Sequence, residues 1–196
     1  MERFENRCRS FFAALWPAEE KVLVFGEGKS DAPPLMLIGE APGEQETLQG
    51  RPFVGKAGKN LDGFLTVIGR KREDIYITNV VKIRPTRTSA RGSVSNRPPN
   101  AEELALFTPY LLEEILLVRP AMLVTLGNVA LRAVLGRDAS IGACHGTLTQ
   151  AEIEHGGKQA SLPLFPLYHP ASIIYNRALQ SVYQDDLTRL RTLLDI

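Results

Sequence analysis

The strongest constraint on this chain is the stretch at residues 35–64, which is LMLIGEAPGEQETLQGRPFVGKAGKNLDGF. Its apolar run, residues 35–38, predicts a short buried strand that ends at Gly39. Glycines, prolines and carboxylates follow before a helical pattern begins near Ala57. A loop beyond the carboxyl end of a strand is where open α/β sheets bind ligands, and its glycines let backbone amides approach an anion or a planar ring. We therefore predict a ligand site here, and the alternative is a surface loop with solvated acids.

The rest of the chain alternates between strand and helix patterns. This alternation predicts an α/β fold with three α/β/α layers and a central four-stranded, mostly parallel sheet. With 196 residues and no internal repeat or Gly/Pro-rich linker, a single domain over residues 1–196 is expected. The predicted strands after the first are 74–81, 121–126 and 163–169; 21–25 is strand-like, 142–160 is a hairpin that carries His145, and 169–176 is a loop. The predicted helices are 5–16, 57–69, 100–118, 128–135 and 179–194.

Composition limits the classes of partner and the compartment. The net charge is +1, so attraction to a nucleic acid has to come from local clusters of Lys and Arg. No apolar run reaches membrane-spanning length and the first residues lack the apolar core of a signal peptide, so we expect no membrane association. Two cysteines, Cys8 and Cys144, do not make a disulfide framework, which favours the reducing cytoplasm.

Polar or Gly-rich segments follow each of the four predicted parallel strands. They are residues 40–53, Asn79, Gly127–Asn128 and residues 169–173, and we expect them to meet at one edge of the sheet. A further segment, residues 83–100, contains four arginines and no acid. This composition predicts a basic arm along a phosphate backbone, and the alternative is a mobile, solvated loop.

Four blocks of this sequence resemble the uracil-DNA glycosylase superfamily and occur in its order. They are GEAPGEQE, GRPFVGKAG, TNVVK at 78–82 and YHPA at 168–171, and the similarity spans roughly residues 22–194. The chain is most similar to the fourth family, the bacterial and archaeal iron–sulfur branch. The resemblance implies a monomeric DNA repair enzyme that flips uracil out of DNA and hydrolyses its N-glycosidic bond, leaving an abasic site. Other deaminated bases stay open as substrates.

The resemblance also implies roles for individual residues. Phe53 would stack on the extruded pyrimidine, Asn79 would pair with O4 and N3–H, and His169 would donate to O2 as charge develops on the departing base. The alternatives are purely structural roles: Phe53 would anchor its loop in the core, Asn79 would be a turn residue, and His169 would be an ordinary loop histidine. The expected pocket for the base comprises Gly39, Glu40, Ala41, Phe53, Asn79 and His169, and the expected DNA contacts comprise Arg84, Arg87, Arg91, Gly127, Asn128, Ser172 and Ile173. Ile173 occupies the place of the family's apolar wedge, which fills the gap left by the flipped base.

One carboxylate has to orient water and stabilise the sugar cation. Glu46 is the first choice for this task and Glu40 the second, whereas Glu44 is expected to be a solvated surface acid. The best-studied branch of the family has an Asp where this chain has Ala41, and an Asp usually follows the later Glu where this chain has Thr47.

The fourth family holds a four-iron cluster on four cysteines, which this chain does not have. The positions that resemble two of the ligands carry Ile83 and Phe107, and the N-terminal pair falls near Phe11 and Ala14. Because a cluster requires thiolates, we predict no cofactor and no metal, with the space filled by Phe11, Trp16, Ile83 and Phe107. The alternative is a cluster shared between protomers.

Two other functions stay open at this stage. Thr47 and the missing cysteines suggest a catalytically weak relative that binds damaged bases or nucleic acid. A third reading is an unrelated α/β enzyme that binds a phosphorylated small molecule at the Gly-rich loop. Release of free base would distinguish an active uracil-DNA glycosylase from the catalytically weak relative. Tight DNA binding would distinguish both of these from the α/β enzyme that binds a small molecule.

Overall fold

A computed structural model describes residues 1–19, 21–176 and 178–194, without the side chains of residues 173–175. Its strands, in chain order, are β1 (Glu27–Gly28), β2 (Met36–Gly39), β3 (Tyr76–Asn79), β4 (Thr86–Thr88), β5 (Val94–Asn96), β6 (Leu123–Leu126), β7 (Thr149–His155) and β8 (Lys158–Leu167). Six of them form one sheet in the order β1-β3-β2-β6-β8-β7. The four central strands are parallel, and β1 and β7 are antiparallel edges. The carboxyl ends of four strands therefore lie at one edge.

Helices cover both faces of this sheet. They are α1 (Glu2–Leu15), α2 (Glu44–Gln49), α3 (Lys56–Val67), α4 (Ala101–Val118), α5 (Asn128–Leu135), α6 (Ile141–Cys144), α7 (Pro170–Tyr175) and α8 (Leu179–Leu194). Alternate side chains of β2 enter opposite layers, as the pleat of a strand requires. Met36 and Ile38 pack in the layer that contains side chains of α1, α4 and α5. Leu35 and Leu37 pack in the layer that contains side chains of α3 and α8.

The predicted α/β/α fold class is confirmed, but the predicted sheet was two strands short. The missing strands are the edges β1 and β7, which flank the parallel strands that the apolar runs had indicated. Residues 21–25, expected as a strand, form none, although residues 23–25 are buried. Residues 169–176, expected as a loop, contain α7, with His169 as its N-cap. No helix in the described ranges is long and apolar enough to cross a membrane.

The basic segment 83–100 contains regular structure that its composition did not indicate. Strands β4 and β5 pair as a short antiparallel ribbon whose residues are exposed. Arg97 fixes the base of the ribbon, because its guanidinium donates to Thr86 O at 2.9 Å and to both oxygens of Glu103 at 2.7 Å. Glu103 also closes the capping box of α4 with Asn100. The ribbon is thus attached to the start of a long helix.

Candidate active site

A cavity of about 580 Å³ opens at the carboxyl edge of the sheet. Its walls bring together five of the residues expected from the sequence, and they also include Asn96 and Ala171. The five are Ala41, Glu46, Phe53, Asn79 and His169. These residues come from α2, the loop before α3, the end of β3 and the segment after β8, so distant parts of the chain converge there. A larger cavity of about 720 Å³ lies beside α1 and contains none of the expected site residues.

Phe53 forms one wall of the cavity in an uncommon backbone conformation. Its φ angle is +54°, a left-handed value that residues other than glycine rarely adopt. Arg72 holds this turn by donating to Phe53 O at 2.6 Å. A Cβ at Gly58 would lie 1.9 Å from the same carbonyl oxygen, so only glycine fits there. Backbone strain of this kind is found at ligand sites where the surroundings enforce it, and the result is a buried aromatic ring at the pocket.

Gly39 explains how the Phe53 ring and the Asn79 amide can share one end of the cavity. A Cβ at Gly39 would lie 2.4 Å from Asn79 Oδ1 and 2.4 Å from Phe53 Cζ. The last residue of β2 therefore has to lack a side chain for the ring and the amide to approach each other. Asn79 is itself 3% exposed, at the position paired in register with Gly39. This places an amide beside an aromatic face.

The imidazole of His169 lies near the Phe53 ring, with ring centroids 6.2 Å apart and an interplanar angle of 28°. Its Nδ1 accepts the backbone N–H of Ala171 at 3.1 Å. Burial lowers the pKa of His169 below its ordinary value, which favours the neutral ring. A neutral ring that accepts at Nδ1 carries its proton on Nε2. The imidazole is therefore a neutral donor through Nε2–H.

Gly127 supports the position of His169. A Cβ at Gly127 would lie 3.2 Å from the Cβ of His169, and the φ angle of +86° also favours glycine. The N–H of Gly127 donates to Leu167 O at 2.8 Å. Asn128, the first residue of α5, uses its amide oxygen to accept the N–H of Ile141. These two residues were expected as DNA contacts, and that expectation stays a prediction.

Glu46 is held by three backbone donors. Its Oε1 accepts the N–H groups of Val54 at 2.9 Å and Gly55 at 2.7 Å, and its Oε2 accepts the N–H of Gly43 at 3.1 Å. The carboxylate thus connects the loop before α2 with the loop before α3, which are the GEAPGEQE and GRPFVGKAG blocks. It lines the cavity and is 9% exposed. Glu44, expected to be a solvated acid, is exposed and lies 3.6 Å from Arg84.

The carboxylate of Glu40 differs from that of Glu46 in its hydrogen bonds. In the described part of the chain no hydrogen bond reaches its carboxylate, and burial raises its pKa above the ordinary value. Glu40 borders a smaller cavity of about 190 Å³, whose walls include Ala41, Asn96 and His169. These three residues also line the 580 Å³ cavity. A carboxylate without a protein partner therefore lies next to the pocket that contains the aromatic ring, the amide and the imidazole.

The other expected DNA contacts belong to the segment of the ribbon and to α7. Arg87 and Arg91 are exposed on the ribbon, with Arg87 Nε 3.2 Å from Ser95 Oγ. Arg84 donates from Nε to Asn96 Oδ1 at 2.7 Å. Asn96 is the last residue of β5 and also lines the 580 Å³ cavity, so this bond holds Arg84 against a residue of the cavity wall. Ser172 is half-buried in α7. The side chain of Ile173 lies outside the described residues.

The residues present do not fit a four-iron cluster. Phe107 is fully buried and stacks on Phe12 with a centroid distance of 4.7 Å, and Phe12 also stacks on Trp16 at 5.2 Å. Of the other expected fillers, Ile83 is 4% exposed but Phe11 is 43% exposed. Cys8 is buried in the same layer, where desolvation raises the pKa of its thiol to about 11. A protonated thiol among aromatic rings does not supply the thiolates that a cluster requires.

Three parts of this site were not identified from the sequence. Asn96 reaches the pocket from the ribbon, Arg72 clamps the turn at Phe53, and Lys82 makes a fully buried ion pair with Glu114 at 2.6 Å. Only Lys82 had a signal, since a lysine directly after the strand end TNVV is unusual within a buried segment. Within the described ranges no group of three or more His, Cys, Asp or Glu side chains is arranged to hold a metal ion.

Comparison with known proteins identifies the family. The model of the family described as the uracil DNA glycosylase superfamily matches residues 25–190. The chain belongs to this superfamily. It is 35% identical to a type-4 uracil-DNA glycosylase of Thermotoga maritima, over 99% of this chain and 94% of that relative. It is 37% identical to the type-4 enzyme of Saccharolobus solfataricus, over 92% of this chain and 79% of that relative.

A solved structure supports the same fold. The crystal structure of wild-type Pedobacter heparinus SMUG2 aligns with a TM-score of 0.54, covering 84% of this chain and 77% of that one. The sequences are 15% identical in that alignment, so it bears on the fold alone. The predicted family, and with it a glycosylase-type hydrolase, is confirmed by the family model and the type-4 relatives.

Proposed function

We propose that this member of the superfamily removes uracil from DNA by hydrolysing its N-glycosidic bond after the nucleotide has flipped into the 580 Å³ cavity. The observation that supports this most is the position of Phe53, Asn79 and His169 around one pocket. An aromatic face, an amide and a neutral N–H donor match the ring, the O4/N3–H edge and the O2 atom of uracil. Cytosine presents the opposite donor and acceptor pattern on that edge, so the Asn79 amide would reject it.

Chemistry would begin as the bond between N1 and the sugar C1′ lengthens and negative charge moves into the base. The Nε2–H of His169 would stabilise that charge at O2 without transferring a proton, because a neutral imidazole is a weak acid. A carboxylate next to the sugar would stabilise the positive charge at C1′ and accept a proton from the attacking water. The products are free uracil and an abasic sugar.

The hydrogen bonds around the two carboxylates favour Glu40 over Glu46 as the group that orients water. Both oxygens of Glu46 already accept backbone N–H groups, whereas Glu40 has lone pairs available for a water molecule. We propose that Glu46 positions the two loops and that Glu40 acts on water. Single-turnover cleavage of a uracil-containing duplex by Glu40→Gln and Glu46→Gln tests this order. A smaller loss of rate in Glu40→Gln than in Glu46→Gln would contradict it.

DNA is proposed to lie across the pocket mouth and along the basic ribbon. Arg87 and Arg91 project from an exposed antiparallel ribbon, and such cations supply non-specific affinity for phosphates. Ile173 is proposed as the wedge that fills the base stack, and Ser172 as a contact to the same strand. Other deaminated bases stay possible substrates. A monomer in the cytoplasm, made of one domain and without an iron–sulfur cluster, also remains our expectation.

The experiment that tests the function is an assay for base release. Uracil, hypoxanthine and xanthine are each placed in a labelled duplex, and strand cleavage after alkali reports the abasic site. Release of uracil by the wild-type protein supports the proposal. Tight binding to the same duplex without release would favour the catalytically weak relative, and absence of both would exclude an action on these bases.

A further inference from the structure

A buried ion pair lies directly behind the residue proposed to recognise the base. Lys82 is 1% exposed and Glu114 is fully buried. Lys82 Nζ donates to Glu114 Oε2 at 2.6 Å, to Thr78 Oγ1 at 2.7 Å and to the backbone oxygen of Asn79 at 2.7 Å. The three bonds use all the protons of the ammonium group. Nothing in the proposed chemistry requires this charge.

The end of strand β3 shows why a cation is needed at this place. Strand β1, its neighbour on one side, pairs with Tyr76 and Ile77 and ends before Asn79. On the other side Gly39 is paired in register with Asn79, and Gly39 O accepts the N–H of Val80. The carbonyl oxygen of Asn79 is therefore left without a strand partner. The Lys82 ammonium provides the donor that a longer β1 would have provided.

Glu114 fixes the ammonium in turn. Its carboxylate projects from α4 and accepts the hydroxyl of Tyr76 at 2.9 Å and that of Thr78 at 3.2 Å, in addition to Lys82. Tyr76, Thr78 and Asn79 are all residues of β3, so the pair connects the helix to the strand that ends in the pocket. A buried ion pair is weak evidence for stability but can specify a single arrangement.

We propose that Lys82 is a positioning residue, which holds the backbone of Asn79 so that its side-chain amide faces the base in one orientation. Among the described residues Lys82 alone donates to the carbonyl of Asn79, and the Asn79 amide lies where the Phe53 ring allows little tolerance. Loss of the ammonium lets the end of β3 rotate, and the amide then no longer matches O4 and N3–H. The inference rests on the proposed uracil-binding function of the same pocket.

The test removes both buried charges together, because a lone buried charge would unfold the protein. In the double variant Lys82→Met/Glu114→Gln, the glutamine still accepts from Tyr76, and Met has nearly the length of Lys. The affinities for free uracil and for a duplex with a tetrahydrofuran abasic analogue are measured by calorimetry. We expect uracil affinity to fall by about ten- to a hundred-fold, as for small misplacements of a recognition group. Affinity for the abasic duplex should stay within about two-fold, since the DNA surface is unchanged.

The matched control is Tyr76→Phe, which removes a hydroxyl bonded to Glu114 but keeps the ion pair and the ammonium on the Asn79 carbonyl, and should retain uracil affinity. Unchanged uracil affinity in the double variant, or an equal fall in both affinities, would overturn the proposal.

If the double variant does not fold, the wild-type protein provides the test. The ¹⁵Nζ resonance of Lys82 should shift on saturation with uracil, and an unshifted resonance would overturn the proposal. Uracil release by the wild-type protein tests the proposed function separately, because neither binding measurement requires turnover.

Discussion

The two candidate carboxylates should respond in opposite ways to truncation. Glu46→Ala removes the acceptor of the N–H groups of Gly43, Val54 and Gly55, which join two loops of the site. Glu40→Ala removes a carboxylate to which no described group of the protein donates, and whose ionised form is disfavoured by burial. The first variant should therefore lose stability, and the second should lose only activity.

The hydrogen bonds give the expected size of the difference. A buried donor that loses its partner costs about 1–3 kcal/mol, and the lower end applies to these half-buried amides because water can reach them. Three donors then give a loss of about 3 kcal/mol in the free energy of unfolding for Glu46→Ala. In a domain of this size, that corresponds to a fall of about 6–12 °C in the melting temperature. Glu40→Ala should stay within about 0.5 kcal/mol of the wild type.

Thermal unfolding of both variants, followed by circular dichroism, measures the difference directly. Single-turnover cleavage at a temperature where both are folded then separates stability from chemistry. Glu40→Ala should be the slower enzyme although it is the more stable protein. A melting temperature of Glu46→Ala within about 2 °C of the wild type would show that the three bonds are not maintained in solution, and would refute the positioning role.

Four other measurements test the remaining parts of the site. Asn79→Ala should lose about 1–3 kcal/mol of uracil recognition with little change in melting temperature, and unchanged cleavage kinetics would remove the residue from the site. The pKa of His169 is lowered and that of Glu40 is raised, and the proposed chemistry needs His169 neutral and Glu40 ionised. Activity should therefore fall as the pH decreases through these two pKa values, and activity that rises on acidification would contradict both assignments. The neutral His169 ring should also contribute stability above about pH 6.5 that is lost as the pH falls through its lowered pKa. Replacing Arg87 and Arg91 together should reduce the salt dependence of DNA binding by up to about two phosphate contacts, and an identical slope would exclude the ribbon from the DNA surface.

The residues that could be predicted are those fixed by local patterns. Phe53, Asn79 and His169 lie in segments that follow buried strands, and an apolar run of four to eight residues is readable without tertiary contacts. Because the strands are parallel, these segments meet at the carboxyl edge of the sheet. Two local signals were overlooked: His169 followed by Pro170 is an N-cap with proline at the first helical position, and the β-branched Thr86 and Thr88 favour a strand.

Other features could not be predicted because they depend on partners far away in the sequence. Lys82 and Glu114 are 32 positions apart, and each alone is expected on the surface of a protein. Strand β1 has two residues, too few for any periodicity, and its existence depends on pairing with Tyr76 and Ile77. The exchange of roles that we propose between Glu46 and Glu40 rests on contacts of the same kind. The position of Glu46 in the motif was visible, whereas the three amides that occupy its oxygens were not.

Thr47 also affects the expected rate of base release. Its hydroxyl donates to Gly43 O at 2.8 Å, so the side chain bonds back to the first turn of α2. An aspartate at this position, as the family usually has, cannot donate to a carbonyl oxygen when ionised. The substitution thus exchanges a negative charge beside the pocket for a bond that stiffens the loop carrying Gly43 and Glu46. Without that charge, and with Glu46 bonded to amides, we propose that stabilisation of the sugar cation falls mainly to Glu40.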